Sequence, residues 1–190
     1  MDIERRHFNS EIRIEEREGD QLPRITGYAA VFDKLSENLG GFREKIAPGA
    51  FDNILGDDVR ALFNHDANHV LGRTKSGTLA IGIDANGLTY SIDPPDTQSA
   101  RDLMASMKRG DIDQSSFGFT VDDDDWVEDD DGRTIRTIKK VSRLYDVSPV
   151  TYPAYPDTSA ATRSLDKFKE SQKPDFSLHL KRLEMAEADT

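Results

Sequence analysis

Alternating hydrophobic and polar positions run through the first half of the chain and predict β-strands. The apolar run at residues 24–33 is typical of a buried strand. Two alternating segments, at residues 79–83 and 88–92, lie on either side of Asn86 and Gly87, which readily adopt the left-handed conformations of a tight turn. The pattern therefore predicts a strand-rich region with a β-hairpin near its end.

A helical period replaces this alternation after residue 95. Asp96 is a favourable N-cap residue, and Gly110 can take the left-handed conformation that often ends a helix. Apolar residues at helical spacing define one face: Ala100, Leu103, Met104 and Met107. We expect a helix at residues 96–109 that packs against the strands through this face.

Clustered charge interrupts the pattern in the second half of the chain. Residues 114–121 and 133–151 have the composition of strands, but residues 122–132 between them read DDDDWVEDDDG. Like charges repel one another, and so few apolar side chains cannot anchor a core element. We therefore expect the acidic segment to be a solvated loop.

Prolines and a change in composition mark the end of the folded domain near residue 156. Residues 160–173 are mostly polar and are expected to form an exposed linker, open to self-processing. An amphipathic helix is predicted at residues 175–188. These features divide the chain into a domain at residues 1–160 and a linker with a helical tail at residues 161–190.

Composition and charge narrow the classes of function. The 190 residues carry a formal net charge of −11, which disfavours nucleic acids and anionic membranes as main partners because both would be repelled. The absence of cysteine excludes disulfides, thiolate metal sites and a cysteine nucleophile. The chain starts without the apolar stretch of a signal peptide and has no apolar run long enough for a membrane span, so a cytoplasmic protein is expected.

Two segments carry side chains suited to nucleophilic catalysis. His65 follows an apolar strand in ALFNHDANHVLGR, and DQSSFGFTV contains two adjacent serines. Because side chains alternate along a strand, Ser115 shares a face with the two phenylalanines that follow it, which are expected in the core. Ser116 and Gly118 then face a cleft, where the glycine would let a substrate backbone approach closely. A serine needs a neighbouring base, and His65 is the candidate.

Several motifs occur in an order that resembles the prohead proteases of tailed phages: GYAAVFD, GGFREKIAPGAF, VRALFNHD with LGR, SSFGF, and LYDVSPVTYPAY. Each motif is weak alone, but together they cover roughly residues 25–160 and are specific. The resemblance implies an α+β fold similar to that of the herpesvirus assembly proteases, which is a mainly antiparallel β-barrel with surrounding helices.

The same resemblance implies a function and a location. Proteases of this family cut scaffold protein, or the scaffold-like part of the major capsid protein, and often themselves. The expected partners are therefore the major capsid protein, its scaffold segments and the chain itself, inside the immature prohead in the host cytoplasm. No metal or organic cofactor is expected, and the sequence leaves open whether the chain forms a homo-oligomer.

Three site residues follow from the resemblance. His65 of FNHD is the general base, and Ser116, directly before FGF, is the nucleophile. Asp146 of LYDVSP stands at an acidic position, more often glutamate in the family, and a carboxylate there can hold the imidazole in the required tautomer. The herpesvirus enzymes use a second histidine instead, which keeps His69 as an alternative to Asp146.

Two other functions fit parts of the sequence. A zinc hydrolase would use His65 and His69 with Asp66 or Asp113, aspartates that are also further candidates for orienting His65 in a protease. A non-enzymatic assembly or scaffold protein would suit the acidic segment and the helical tail, but it would leave FNHD and SSFGF unexplained. A serine-reactive probe separates the three functions, because the protease alone should be labelled at one serine.

Overall fold

The computed structural model describes residues 3–8, 12–19, 22–152 and 158–172. The strands in these ranges are β1 (Glu4–Phe8), β2 (Ile12–Glu15), β3 (Arg24–Val31), β4 (Phe42–Ile46), β5 (Arg60–Phe63), β6 (Asp66–Arg73), β7 (Leu79–Ile83), β8 (Gly87–Ile92), β9 (Gln114–Glu128) and β10 (Thr134–Val150). The α-helices are α1 (Gln98–Arg109) and α2 (Thr158–Ser171), and a short 3₁₀-helix spans Thr74–Ser76. This content confirms the predicted α+β class.

The strands form two sheets. The larger sheet has the order β1-β9-β10-β5-β6, with β4 also paired to β10, and the smaller has the order β2-β3-β8-β7. Most pairs are antiparallel, whereas β4 and β5 run parallel to β10. The pairings within the described ranges leave both sheets open, so the closed barrel stays a prediction.

The main hydrophobic core joins the two sheets and helix α1. Its buried side chains come mainly from β3, β8, β9 and β10, and they include Ile25, Leu88, Ile92, Phe117, Phe119 and Leu144. Removal of this apolar surface from water is the principal force that holds the sheets together. The rings of Phe117 and Phe119 stack with centroids 4.7 Å apart, which fixes the inner face of β9.

The predicted hairpin is present as β7 and β8, which pair antiparallel. The predicted role of its turn residues is wrong, because neither Asn86 nor Gly87 has a positive φ. Asp84 instead stabilises the turn by accepting hydrogen bonds from both backbone N–H groups. Glycine is required at position 87 because an added Cβ would lie 2.0 Å from the carbonyl oxygen of Ala30 on β3.

Helix α1 corresponds to the predicted amphipathic segment. Its buried residues are the predicted apolar set, Ala100, Leu103, Met104 and Met107. Gly110 ends the helix with a φ of 80°. The N-cap is Thr97 instead of Asp96, because the Thr97 side chain accepts a hydrogen bond from the N–H of Ala100. No helix in the described part of the chain is long and apolar enough to cross a membrane.

The acidic segment predicted as a loop at residues 122–132 is mostly strand, and only residues 129–132 form a turn. Strand β9 continues through it to Glu128 and pairs with β10. Cations on β10 pair with three of its acidic side chains, as Lys139–Asp125, Lys140–Asp122 and Arg136–Asp124. Opposite charges on neighbouring strands stabilise a sheet, so the pairing reduces the repulsion on which the loop prediction depended.

Helix α2 occupies the segment predicted as a linker. Leu165 is buried in a small cluster with Phe42, and Phe168 stacks on Trp126 of β9 with ring centroids 5.6 Å apart. Two large apolar residues on one face are therefore enough to dock this otherwise polar segment. The predicted tail helix at residues 175–188 lies outside the described residues, and the proposed domain boundary stays a prediction.

A buried cluster of ionic side chains ties β1 to the larger sheet. Arg6 on β1 donates to Glu44 on β4, and Arg136 on β10 donates to Glu44 and to Glu4 on β1. Burial alone would raise the pKa of Glu4, but hydrogen bonds and charge from Arg136 and Arg6 outweigh it and hold this pKa below its ordinary value. The cluster fixes β1 beside β9.

Candidate active site

His65 lies in the two-residue turn that joins β5 to β6. Phe63 pairs with Asp66 across the turn, and Asn64 and His65 both have positive φ, at 54° and 57°. Positive φ at both central residues is the conformation of the tightest β-hairpins, and asparagine and histidine tolerate it better than most residues. The turn therefore projects the His65 side chain from the end of a strand, as the sequence predicts.

Asn64 fastens this turn to the end of β10. Its backbone N–H donates to the carbonyl of Pro149 at 3.0 Å. Its side-chain oxygen accepts from the backbone N–H of Thr151 at 2.8 Å, and its amide nitrogen donates to Thr151 Oγ1 at 3.2 Å. Sequence reasoning missed Asn64 because Thr151 is 87 positions away. The turn is held against the strand that carries Asp146.

Strand β9 turns its two adjacent serines in opposite directions. Ser115 faces the core and is hydrogen-bonded to the hydroxyl of Tyr90, whose pKa is raised by burial. Ser116 faces His65 on the other side of the sheet. The alternation of side chains along a strand predicts this arrangement, and it leaves Ser116 as the serine with a basic neighbour.

His65, Ser116 and Asp146 form one hydrogen-bonded chain. His65 Nε2 lies 2.6 Å from Ser116 Oγ, and His65 Nδ1 contacts Asp146 Oδ1. When Nδ1–H donates to the carboxylate, Nε2 is left to accept the hydroxyl proton of Ser116. The side chains of His65 and Asp146 are 9% and 10% exposed and Ser116 is 0% exposed, so the three groups are largely shielded from solvent.

A β-bulge in β10 brings Asp146 to His65. The register shifts after Leu144, so that Asp146 lies opposite Gly118 of β9 and shares a face with Ser116. A Cβ added to Gly118 would lie 2.5 Å from Asp146 Oδ2. The space beside Gly118 is therefore filled by this carboxylate and not by the substrate backbone that the sequence analysis placed there.

Ser148 is a fourth member of the network. Its hydroxyl donates to Asp146 Oδ1 at 2.8 Å and lies 3.3 Å from His65 Nδ1, and the residue is fully buried. Ser148 stands opposite Ser116 in the β9–β10 ladder. Because side chains alternate along a strand, the sequence alone predicts that Ser148 shares a face with Asp146. The sequence does not show that β10 pairs with β9, which is what brings Ser148 to the site.

The remaining candidates lie apart from this network. The His69 side chain is 47% exposed, with Nε2 4.0 Å from Asp66, and Asp113 is exposed just before β9. Hydrogen bonds from Asn68 lower the pKa of Asp66. In the part of the chain that the structure describes, no group of three histidine, aspartate or glutamate residues is placed to hold a metal ion.

A pocket of about 310 Å³ opens beside the network. It is lined by Arg5, Asn64, His65, Val150 and Tyr152. Its walls come from β1, from the β5–β6 turn that carries His65 and from the end of β10, the strand that carries Asp146. A larger groove of about 690 Å³ lies on the smaller sheet and shares none of these residues. The smaller pocket is the one placed to receive a ligand next to His65.

The arrangement is suited to activating a hydroxyl group. An imidazole that accepts the serine proton makes the oxygen a strong nucleophile, and the carboxylate on the far side of the ring stabilises the imidazolium that results. Each of these groups is held by main-chain structure: a tight turn for His65, a doubly paired strand for Ser116 and a bulge for Asp146.

Comparisons with known proteins identify the family. A family model described as caudovirus prohead serine protease matches residues 9–172. The prohead protease of Enterobacteria phage HK97 is 32% identical over 146 residues, which cover 74% of this chain and 60% of that relative. The chain thus spans less than two thirds of the relative's length, and no solved structure matches it. Because the family model covers most of the sequence, the chain belongs to the caudovirus prohead serine protease family.

Proposed function

We propose that the protein is a serine endopeptidase in which Ser116 is the nucleophile, His65 the general base and Asp146 the residue that orients the imidazole. One observation carries this assignment: His65 contacts Ser116 through Nε2 and Asp146 through Nδ1. Membership of a serine protease family supports the same reaction class. His69, the alternative to Asp146, is not favoured, because its ring lies against Phe63 with centroids 6.5 Å apart.

The reaction follows from the order of the hydrogen bonds. Nε2 of His65 takes the proton of Ser116 as Oγ attacks the carbonyl carbon of the scissile peptide. The imidazolium then gives that proton to the departing amine, which leaves an acyl-enzyme on Ser116. A water molecule, deprotonated by His65, hydrolyses the ester and restores the serine. The chemistry needs no metal or organic cofactor, because these side chains supply both the nucleophile and the proton transfers.

The substrates are scaffold protein or the scaffold-like region of the major capsid protein, together with the enzyme itself. The name of the HK97 relative, a prohead protease, supports a role in prohead maturation. The enzyme then acts inside the immature prohead in the host cytoplasm. A fold similar to that of the herpesvirus assembly proteases, with a closed barrel, belongs to the same proposal.

Substitution of the two adjacent serines tests the assignment. Ser116→Ala removes the nucleophile and is expected to lower the cleavage rate by about 10³-fold or more. Ser115→Ala removes a hydrogen bond to Tyr90 and should keep most of the activity, which makes it the matched control. Cleavage is measured by co-expressing each variant with the major capsid protein of the same phage and mapping the cut ends by mass spectrometry.

His65→Ala should reproduce the loss seen with Ser116→Ala. The double variant should be scarcely slower than either single variant, because residues that act as one unit have strongly non-additive effects. A fluorophosphonate probe should label Ser116 in the unaltered protein. Near-normal cleavage by a folded Ser116→Ala variant, or labelling at a different serine, would refute the assignment.

A further inference from the structure

Arg5 lies on the same face of the larger sheet as the Ser116 side chain. In the antiparallel pair of β1 and β9, Arg5 stands opposite Gly118 and His7 opposite Ser116. Residues directly opposite in such a pair share a face. Glu4 and Arg6, on either side of Arg5, point away from this face into the buried ionic cluster. The alternation along β1 therefore directs Arg5 to the pocket beside His65.

Arg5 is partly buried and, unlike the buried arginines Arg6 and Arg136, has no acidic partner among the described residues. Arg6 and Arg136 are each held by two glutamates, Glu4 and Glu44. By contrast, the buried Nε atom of Arg5 has no hydrogen-bond partner among the described residues. A buried donor without a partner costs free energy, and proteins rarely keep one without a use.

The rest of the pocket wall does not supply an anion for Arg5. His65 is hydrogen-bonded to Ser116 and Asp146, and the Asn64 side chain is hydrogen-bonded to Thr151. Val150 adds an apolar surface, and Tyr152 stands at the mouth with 78% of its surface exposed. A side chain with an apolar stem and a carboxylate at its tip matches this combination, since guanidinium and carboxylate groups pair through two parallel hydrogen bonds.

We propose that Arg5 is a specificity-determining residue that binds the carboxylate of an acidic residue in the peptide substrate, close to the scissile bond. This inference rests on the proposed peptidase function and names the chemistry of one of its subsites. Arg5 donates to the substrate carboxylate while the stem of that residue packs on Val150. The pocket, at about 310 Å³, has room for a glutamate side chain.

Matched peptides test the subsite. The cut site mapped in the capsid protein gives a parent peptide, and each acidic residue within four positions of the cut is replaced by its amide, with the peptide C-terminus amidated throughout. At one position, the unaltered protein should cleave the acidic peptide with a kcat/KM about ten-fold or more above that of the amide peptide, the effect expected of a charge-assisted hydrogen bond. In Arg5→Gln this ratio should fall to near one.

Two further variants separate charge from structure. Arg5→Lys should keep part of the preference because it keeps the positive charge, and Arg5→Glu should favour a peptide with lysine at the same position. Arg109→Gln, an exposed arginine at the end of α1, is the control and should leave the ratio unchanged. Circular dichroism and thermal unfolding establish that each variant is folded.

The possible outcomes distinguish this proposal from the function on which it rests. Equal cleavage of the acidic and amide peptides by the unaltered protein overturns the subsite and leaves the peptidase standing. An equal loss on both peptides in Arg5→Gln also overturns it, because Arg5 would then serve the reaction in general and not its selectivity. Absence of cleavage of every peptide and of the capsid protein by the unaltered enzyme overturns both.

Discussion

At the scale of single residues, the site depends on space as much as on polar groups. Gly118 has no side chain, and the carboxylate of Asp146 lies too close for a Cβ at this position, with Oδ2 2.5 Å from where it would be. Ser148 holds the same carboxylate from the other side with a hydrogen bond of 2.8 Å. Asp146 is thus positioned by a neighbour that donates to it and by a neighbour that leaves room for it.

Gly118→Ala is expected to displace this carboxylate from His65. The new Cβ would lie 2.5 Å from Asp146 Oδ2, so the side chain must move. Loss of a correctly placed orienting carboxylate costs on the order of 10²–10⁴ in kcat, whereas overpacking at one position costs about 1–3 kcal/mol of stability. Steady-state kinetics on a capsid-derived peptide and urea unfolding measure the two effects.

Gly56→Ala is the control for this prediction. A Cβ at Gly56 would meet no atom within 4 Å, and its φ is not in the left-handed region. We expect no loss of activity there. If Gly118→Ala keeps full activity, Asp146 does not need its observed position.

Much of this site could be predicted from local pattern, and the rest depended on contacts between distant segments. The period of two along β9 separated Ser115 from Ser116 because Phe117 and Phe119 identify the inner face. The roles of Asn64 and Gly118 could not be predicted, because both depend on contacts with β10 or the residue that follows it. The pattern of a single strand shows neither how β10 pairs nor where its bulge lies.

At the scale of elements, the arm formed by β9 and β10 connects the core to helix α2. Trp126 lies near the end of β9, with its ring centroid 4.9 Å from that of Phe42 and 5.6 Å from that of Phe168. The like charges of the acidic segment predicted a loop, but the register with β10 brings several of them against cations. The composition of a segment gives the charges it carries, but the strand pairing determines which charged side chains contact each other.

Trp126→Ala is therefore expected to loosen helix α2. The substitution removes a partly buried aromatic side chain and its stacking on Phe168, which should lower the free energy of unfolding by about 2 kcal/mol. Val127→Ala, at a position 52% exposed on the opposite face of β9, should have little effect. Urea denaturation measures the stability, and limited trypsin digestion at Arg163 and Lys167 measures the docking of the helix.

A trypsin pattern of Trp126→Ala that is identical to that of the unaltered protein would show that helix α2 is docked mainly through Leu165.

The ion pairs of the acidic residues beside Trp126 are expected to matter less for stability than its aromatic contacts. Lys139 and Lys140 are exposed, so their ion pairs with the acidic segment are expected to contribute little to the stability of the fold.

At the scale of the whole molecule, the buried ionic cluster links the beginning of the chain to strands far along it. Arg136 joins Glu4, 132 positions away, and Glu44, 92 positions away. Such a cluster is costly to desolvate, and removing one member leaves an unpaired buried charge. We therefore expect β1 to stay paired with β9 only while every member of the cluster is present. The same strand carries Arg5 and His7 next to the site.

Acid is expected to weaken this attachment. The pKa of Glu4 is lower in the folded protein than its ordinary value of 4.5, so its contribution to stability is fully present above about pH 4.5 and is lost as the pH falls through the folded pKa. Glu4→Gln cannot titrate and should show a shallower loss of stability between about pH 5 and pH 3. Urea midpoints over this range provide the measurement.

Glu16→Gln removes an exposed carboxylate that pairs with Lys108 and serves as the control. Its pH dependence should follow that of the unaltered protein. Equal slopes for Glu4→Gln and the unaltered protein would show that Glu4 does not link folding to protonation.

The position of β9 inside the larger sheet limits how a peptide can be held for attack. Both edges of β9 around Ser116 are already paired, with β1 on one side and β10 on the other. Its main-chain N–H groups are engaged in those ladders, so no substrate strand can be added alongside Ser116, the proposed nucleophile. When the scissile carbonyl becomes an oxyanion, the donors that stabilise it must therefore come from outside β9, and the peptide must approach across the face of the sheet.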